Sequence, residues 1–373
     1  MRETPRFVFE KKVLKPKTRE STMSRKKKCT KCEDKDKISQ LPDEVLMKIL
    51  LRLPTKTAVS TSILSKRWEY LWMWLPKLEY GCSYRYGECE RLERFISWSL
   101  PLHRAPVIES LRLKLCIRNV EPHAIELWVA FAVSHCIREL SLSFLSCTDD
   151  SARMPSSLYI CKSLVILKLK REVLIDVPRM ACLPSLKTLV LRRVTYSNAN
   201  SLHKLLSSCP VLTDLVLERG GDDHFGTWKA LYCEGIVFNQ LTHLELCHCG
   251  VYWSKVLFRL LNDSPNLREL EVYTQKDHIW NQLDPLVFCQ DELNCVPKCL
   301  LSSLETFKWT AMFATEQERN LMKYILNNAC CLKTATIVFE DAPERQVPIE
   351  MMIQEFSLSF KGSPTCQLVF EFE

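Results

Sequence analysis

The chain has 373 residues, 47% of them hydrophobic and only 8 of them glycine. That composition excludes a disordered or collagen-like chain and leaves room for two or three packed domains. The formal net charge of +7 is unevenly placed: residues 1–35 carry 13 Lys/Arg against 5 Asp/Glu, and the remainder 38 against 39. No apolar run approaches the roughly 18 residues a spanning helix needs, and the N-terminus lacks a signal-peptide core, so no membrane association is expected. Nineteen scattered cysteines read as reduced thiols of a nuclear and/or cytoplasmic protein, many as small core residues.

Residues 1–35 read as a basic leader, disordered on composition. Arg25-Lys26-Lys27-Lys28 has the form of a nuclear-localisation or nucleic-acid patch, and equally of a solvated tail. Met23 is an alternative start to Met1. Cys29-x-x-Cys32 is half of a structural zinc site, which takes four ligands. No second Cys/His pair stands at finger spacing, so no metal is expected.

The next stretch, from Ile38 to Trp72, is short and very apolar. Pro42 suits the first turn of a helix, and Asp43 and Glu44 suit its positive end. Leu46, Ile49, Leu50 and Leu53 follow one helical face. Val45, Met47 and Leu51 widen that face until only Lys48 and Arg52 are polar, and Pro54 ends the run. Two further short helices are expected, capped by Thr55 and Ser65. A helix apolar nearly all round needs cover on nearly all sides, and surplus apolar surface on a small module marks an interface.

The order Leu-Pro-Asp-Glu-Val-Leu, then Ile-Leu-x-x-Leu-Pro, then Ser-Lys-Arg-Trp resembles the F-box in its plant form, over residues 36–82. The resemblance implies a three-helix module that binds a Skp-family adaptor and, through it, the cullin and RING subunits of a ubiquitin ligase. Leu41, Pro42, Leu46, Ile49, Leu50, Leu53, Pro54 and Val59 match the adaptor-facing positions of that family. Lys66, Arg67 and Trp68 match its third-helix signature.

From about residue 105 to 293 one pattern recurs, Leu-x-x-Leu-x-Leu. It starts at Ile108, Ile137, Leu164, Leu186, Leu212, Leu241 and Leu267, with weaker copies at Leu304 and Leu332. The starts are 29, 27, 22, 26, 29, 26, 37 and 28 residues apart, in or near the roughly 20–29 residue period of leucine-rich repeats. Each Leu-x-Leu reads as a strand with one buried face. The linking segments around 199–210 and 256–261 read as helices. A single coil cannot bury its own leucines, so the coils are expected to stack. The residues that come after the strand in regular repeats are matched only in part, at Cys116 and Cys249, so the horseshoe is expected to be irregular.

The segment 294–373 resembles the FBD domain found behind plant F-boxes and leucine-rich repeats. It carries Leu300-Leu301-Ser-Ser-Leu304-Glu-Thr-Phe307-Lys-Trp309, a helix expected over 316–328, Leu332-Lys-Thr-Ala335-Thr-Ile337, and Gly362-Ser-Pro364-Thr-Cys366. The resemblance implies a unit that closes the end of the solenoid. The expected class is therefore mixed α/β: helical F-box, irregular repeat solenoid, C-terminal FBD α/β unit.

Motifs for catalysis are lacking: no glycine-rich phosphate loop, nucleophile elbow or His-Glu-x-x-His occurs, and no cofactor is expected. His243, Cys247, His248 and Cys249 form a dense group, read as core and surface residues of a repeat. Asp222-Asp223-His224 reads as a polar loop. Outward strand residues should line a concave, target-binding face, basic at first (Arg112, Lys114, Lys168, Lys170, Arg192) and acidic later (Asp214, Glu218, Glu245, Glu269, Glu271). The inserts 219–238 and 275–297, with Phe225, Trp228, Trp280 and Phe288, are further candidates. The function implied is a non-catalytic substrate-recognition subunit of a Skp-cullin-F-box ligase, with an unidentified target protein. The alternatives are a non-degradative F-box scaffold, or a nuclear nucleic-acid-associated protein acting through the basic leader. The near-neutral body argues against the nucleic-acid reading.

Overall fold

The computed structural model describes residues 38, 40–82, 88–116, 120–145, 151–219, 236–248, 253–274, 295–312, 315–339, 347–359 and 362–372. It divides into two units, 1–42 and 43–373. In the first, residues 38 and 40–42 are described, with the Leu41 N–H donating to the Ile38 carbonyl at 3.1 Å.

The second unit begins with two short helices, α1 (Asp43–Leu50) and α2 (Thr55–Ser60). Leu53 and Pro54 stop α1 as expected, since the residue before proline is pushed away from helical angles. The third expected helix is reduced to a 3-10 turn, Leu71–Trp74, with turns before it. Four of the ten residues from 65 to 74 are aromatic, and aromatic side chains lose rotamer freedom in a helix. Trp72 packs inward at 2% exposure. Two hydrogen bonds tie this module to the chain beyond it: Glu79 N–H donates to Thr55 Oγ1 at 2.7 Å, and Arg104 N–H to the Met73 carbonyl at 2.7 Å.

Among the described residues, eleven parallel strands then form one sheet. They are β1 (Lys77–Gly81), β2 (Ser110–Cys116), β3 (Glu139–Leu145), β5 (Ile166–Arg171), β7 (Thr188–Arg192) and β9 (Asp214–Glu218), followed by β10 (His243–Cys247), β11 (Glu269–Tyr273), β12 (Thr306–Thr310), β13 (Thr334–Phe339) and β14 (Gln367–Phe372). Their order along the sheet is their order in the chain. Each coil therefore adds one strand beside the last, the arrangement of a solenoid. Three short strands, β4 (Ala152–Arg153), β6 (Val173–Ile175) and β8 (Thr195–Tyr196), form a second sheet. Elsewhere the return path is helical: α3 (Glu88–Ser99), α4 (Pro122–Ser134), α5 (Ser201–Ser207), α6 (Trp253–Asp263), α7 (Lys298–Ser302), α8 (Glu316–Asn328) and α9 (Ile349–Leu358). The shortest spacing read from the sequence, 22 residues, falls where the return is a short strand.

Strand register explains the repeat. Leu111, Leu140, Leu167, Leu189, Leu215, Leu244, Leu270, Phe307 and Ala335 stand side by side, as do Leu113, Leu142, Leu169, Leu191, Leu217, Leu246, Val272, Trp309 and Ile337. Both rows are buried. Residues just past three strand positions adopt left-handed backbone: Arg171 (φ 66), Arg193 (φ 56) and Ala311 (φ 59). These occupy equivalent positions, one residue after Lys170, Arg192 and Thr310, and there the chain turns out of the sheet. Non-glycine residues accept that conformation at a cost of about 1 kcal/mol or more, offset where Arg193 makes a buried ion pair.

The sequence reading places the repeats from residue 105 and misses β1 and α3. The β1 signal is present as the alternation Leu78-x-Tyr80 after Pro76, but a single short strand cannot be told from a linker without its neighbour. The helix expected over 316–328 is α8 with those bounds. It opens with a capping box: Glu318 N–H donates to Thr315 Oγ1, and Thr315 N–H to Glu318 Oε2. Gly362 is required by space, since a Cβ there would lie 2.5 Å from the Asn327 carbonyl oxygen.

Candidate functional site

Two surfaces carry the residues that the sequence marks as candidates. The first is the α1–α2 module, which covers only part of its own apolar surface. Leu46 and Leu50 are fully buried, on the side of α1 that packs against the turn Leu71–Trp74. Val45 (37% exposed), Ile49 (40%), Leu51 (40%), Ile63 (88%) and Leu64 (63%) remain in solvent. Of the residues expected to face a partner, Leu53 and Val59 are half-buried and Pro54 and Lys66 exposed. Trp68 is buried at 5%. Arg67 reaches back to Asp43, Nη2 to Oδ1 2.6 Å, joining the third segment to the start of α1. Leu41, half-buried, and Pro42, exposed, belong to the first unit. Leu46, Leu50 and Trp68 thus hold this module together and do not line its surface.

The second surface is the open face of the large sheet. Alternate strand residues point away from the leucine rows. Arg112 and Lys114 are exposed there, and Lys168, Lys170 and Arg192 partly so. Glu139 accepts from Arg112 at 3.0 Å and lies 3.8 Å from Lys168. Arg192 donates to Glu245 at 2.5 Å and lies 3.9 Å from Glu218. Its guanidinium also sits over the Tyr273 ring, 5.7 Å from the centroid.

Glu218, expected as an outward acidic residue, is only 3% exposed. It accepts from Arg193 Nε at 2.7 Å and from Tyr273 Oη at 3.1 Å. Burial pushes the Glu245 carboxyl above its ordinary range, against the pull of Arg192. Burial likewise raises Tyr273, reinforced by Glu218. Asp214 accepts from Thr213 and Thr188. Glu269 is exposed, and Glu271 lies 3.5 Å from Lys308. Sequence reasoning misses Glu139, Arg193 and Tyr273. Their strand positions are legible, but their charge and ring contacts come from strands 25 or more residues apart.

The dense His/Cys group does not converge. His243 lies in the first outward row of β10, beside Asp214 and Glu269. His248 is buried, with Nε2 3.2 Å from Glu318 Oε1, within hydrogen-bond distance of Thr274 Oγ1 and beside the rings of Trp253 and Trp309. This pair joins the end of β10 to the capping box of α8. Cys247 is disulfide-bonded, and so departs from the reduced thiols expected from the composition. Among the described residues, no three His, Cys, Asp or Glu side chains are grouped to hold a metal ion, and no helix is long and apolar enough to cross a membrane. Cys29, Cys32, Asp222, Asp223, His224, Cys249, Phe225, Trp228, Trp280, Phe288 and the basic leader lie outside the described residues.

Three family models match in the same order as these features. An F-box domain matches residues 38–80, the leucine-rich repeats of FBD-associated F-box protein At5g56370 match 125–225, and FBD matches 290–337. The F-box/FBD/LRR-repeat protein At4g00315 of Arabidopsis thaliana is 43% identical over 440 aligned residues, covering 90% of this chain and 100% of the relative. The chain belongs to the F-box/FBD/LRR-repeat family. FBD-associated F-box protein At4g10400 of the same plant is 41% identical, again over 90% of this chain and 100% of the relative. F-box/LRR-repeat protein At1g55660 is 51% identical over 65% of each. In this family the F-box implies docking on a Skp-type adaptor and the repeats imply protein binding, and members generally act as non-catalytic adaptors.

Proposed function

We propose that the chain is the substrate-recognition subunit of a Skp-cullin-F-box ubiquitin ligase. The F-box, residues 36–82, docks on the adaptor and so on the cullin and RING subunits. The repeats, residues 105–293, hold a target protein on the open face of the sheet, and the FBD unit, residues 294–373, closes the end of the solenoid. The chemistry of ubiquitin transfer then belongs to the partners, and the chain contributes position, raising the target's effective concentration at the loaded partner. The compartment we assign is nucleus and/or cytoplasm.

The observation that carries this reading is the exposed apolar set Val45, Ile49, Leu51, Ile63 and Leu64 within the segment that matches the F-box. Five such side chains in solvent on a small module are the signature of an interface awaiting its partner. We assign Leu41, Pro42, Ile49, Leu53, Pro54, Val59, Lys66 and Arg67 to the contact, together with the exposed Val45, Leu51, Ile63 and Leu64. Co-purification with the adaptor tests it: replacing Leu41 and Pro42 together by Ala should weaken capture several-fold. Unchanged capture sinks the assignment.

A further inference from the structure

The two halves of the open face are not electrostatic mirror images. Strand register sets Arg112, Ser141 and Lys168 side by side across β2, β3 and β5, and Lys114, Ser143 and Lys170 side by side two residues further on. All six point to the open face, because Leu113, Leu142 and Leu169 between them are buried. Neighbouring strands lie about 4.8 Å apart and same-face residues about 6.8 Å apart along a strand. Four cations therefore mark the corners of a rectangle roughly 10 by 7 Å with two serines between them. Those separations are close to the screening length of about 8 Å at physiological salt, so the charges act together.

One carboxylate, Glu139, serves both Arg112 and Lys168. Arg192, next along the row, is taken by Glu245 and Glu218. The Lys170 ammonium is held below its ordinary range by burial first, and then by Arg192 and Lys168, against the pull of Glu218 and Glu245. Three carboxylates of the acidic half are paired: Glu218 with Arg193, Glu245 with Arg192 and Glu271 with Lys308.

We propose that the β2–β3–β5 part of the open face binds an extended acidic segment of a partner protein. Its Asp or Glu carboxylates settle among Arg112, Lys114, Lys168 and Lys170, and the Ser141 and Ser143 hydroxyls donate between them. Carboxylates two residues apart on an extended chain face the same side about 7 Å apart, matching the side of the rectangle that runs along each strand. This deepens the reading of the sheet face as a target-binding surface and rests on it.

Fluorescence anisotropy of the full chain with a labelled twelve-residue peptide of alternating Glu and Gly tests the proposal. Lys168→Glu with Lys170→Glu should weaken binding at least tenfold, and Lys168→Gln with Lys170→Gln about three- to fivefold. Lys162→Glu with Lys298→Glu changes the net charge equally at exposed positions off this face and should change affinity less than twofold. Circular dichroism melts check that all three pairs fold. Changing Arg25, Lys26, Lys27 and Lys28 to Ser removes the leader's run of four consecutive cations and should leave saturable binding in place.

Absence of saturable binding, equal losses in the two Glu pairs, loss on changing the leader, or tighter binding of a twelve-residue oligothymidylate would each overturn the proposal. Adaptor capture is read in parallel. Capture intact with peptide binding absent rejects this proposal alone, and peptide binding intact with capture absent rejects the ligase reading alone.

Discussion

Ile49 and Leu50 are neighbours on α1 that should answer truncation in opposite ways. Leu50 is fully buried and Ile49 is 40% exposed. Leu50→Ala removes buried methylene and methyl groups and leaves a cavity, at a cost of about 2–5 kcal/mol of stability. Ile49→Ala should change stability by about 0.5 kcal/mol or less, because much of its side chain already meets water and Ala is the better helix former. Binding reverses the order. Full burial of an isoleucine is worth about 1.5–3 kcal/mol, so covering the exposed two-fifths is worth about 0.6–1.2 kcal/mol, or three- to eightfold in affinity. At Ile63, 88% exposed, complete cover would be worth about 10- to 80-fold on the same scale. Urea unfolding gives the stabilities, and titration of the purified chain against a purified Skp-type adaptor gives the affinities. Two results would refute this division of roles: Ile49→Ala and Ile63→Ala leaving the adaptor affinity of the folded chain unchanged, or unfolding it as readily as Leu50→Ala.

Two further perturbations probe the sheet and its junction with the F-box. Glu218→Ala leaves Arg193 and Tyr273 without their buried acceptor and should cost about 3–5 kcal/mol, whereas Glu218→Gln, which keeps the volume, should cost less; equal m-corrected stabilities of both variants and wild type would dismiss the network. His103 packs edge-on to Trp72, 5.2 Å between ring centroids, and burial lowers its pKa to about 4, with His135 adding to the effect. The unfolded state, titrating near 6.5, then binds a proton that the folded state refuses between about pH 6.5 and 4. Stability should therefore rise with pH across that window, by roughly 3 kcal/mol if the whole shift is realised. His103→Phe should flatten the pH dependence of urea unfolding, and an unaltered slope would count against a buried neutral His103.

The sequence by itself determined the repeat. A leucine at every second strand position must be buried, and one coil cannot bury it, so stacking comes from the spacing alone. The bounds of α8 were legible in the same way. So was the F-box segment, as apolar surplus. Which of its leucines form the surplus was not. Leu46 and Ile49 share one helical face by spacing, yet in the fold, where α1 meets the turn Leu71–Trp74 more than twenty residues on, Leu46 and Leu50 are buried and Ile49 is left outside. The charges divide similarly. Alternation told which residues face outward, but only strand register told that Glu139 serves two cations, that Glu218 sinks between Arg193 and Tyr273, and that Lys170 stands beside Lys168 and Arg192. A strand's period of two is local and is written in the chain. Which side chains meet across the sheet depends on neighbouring coils 22 to 37 residues apart, brought together by packing.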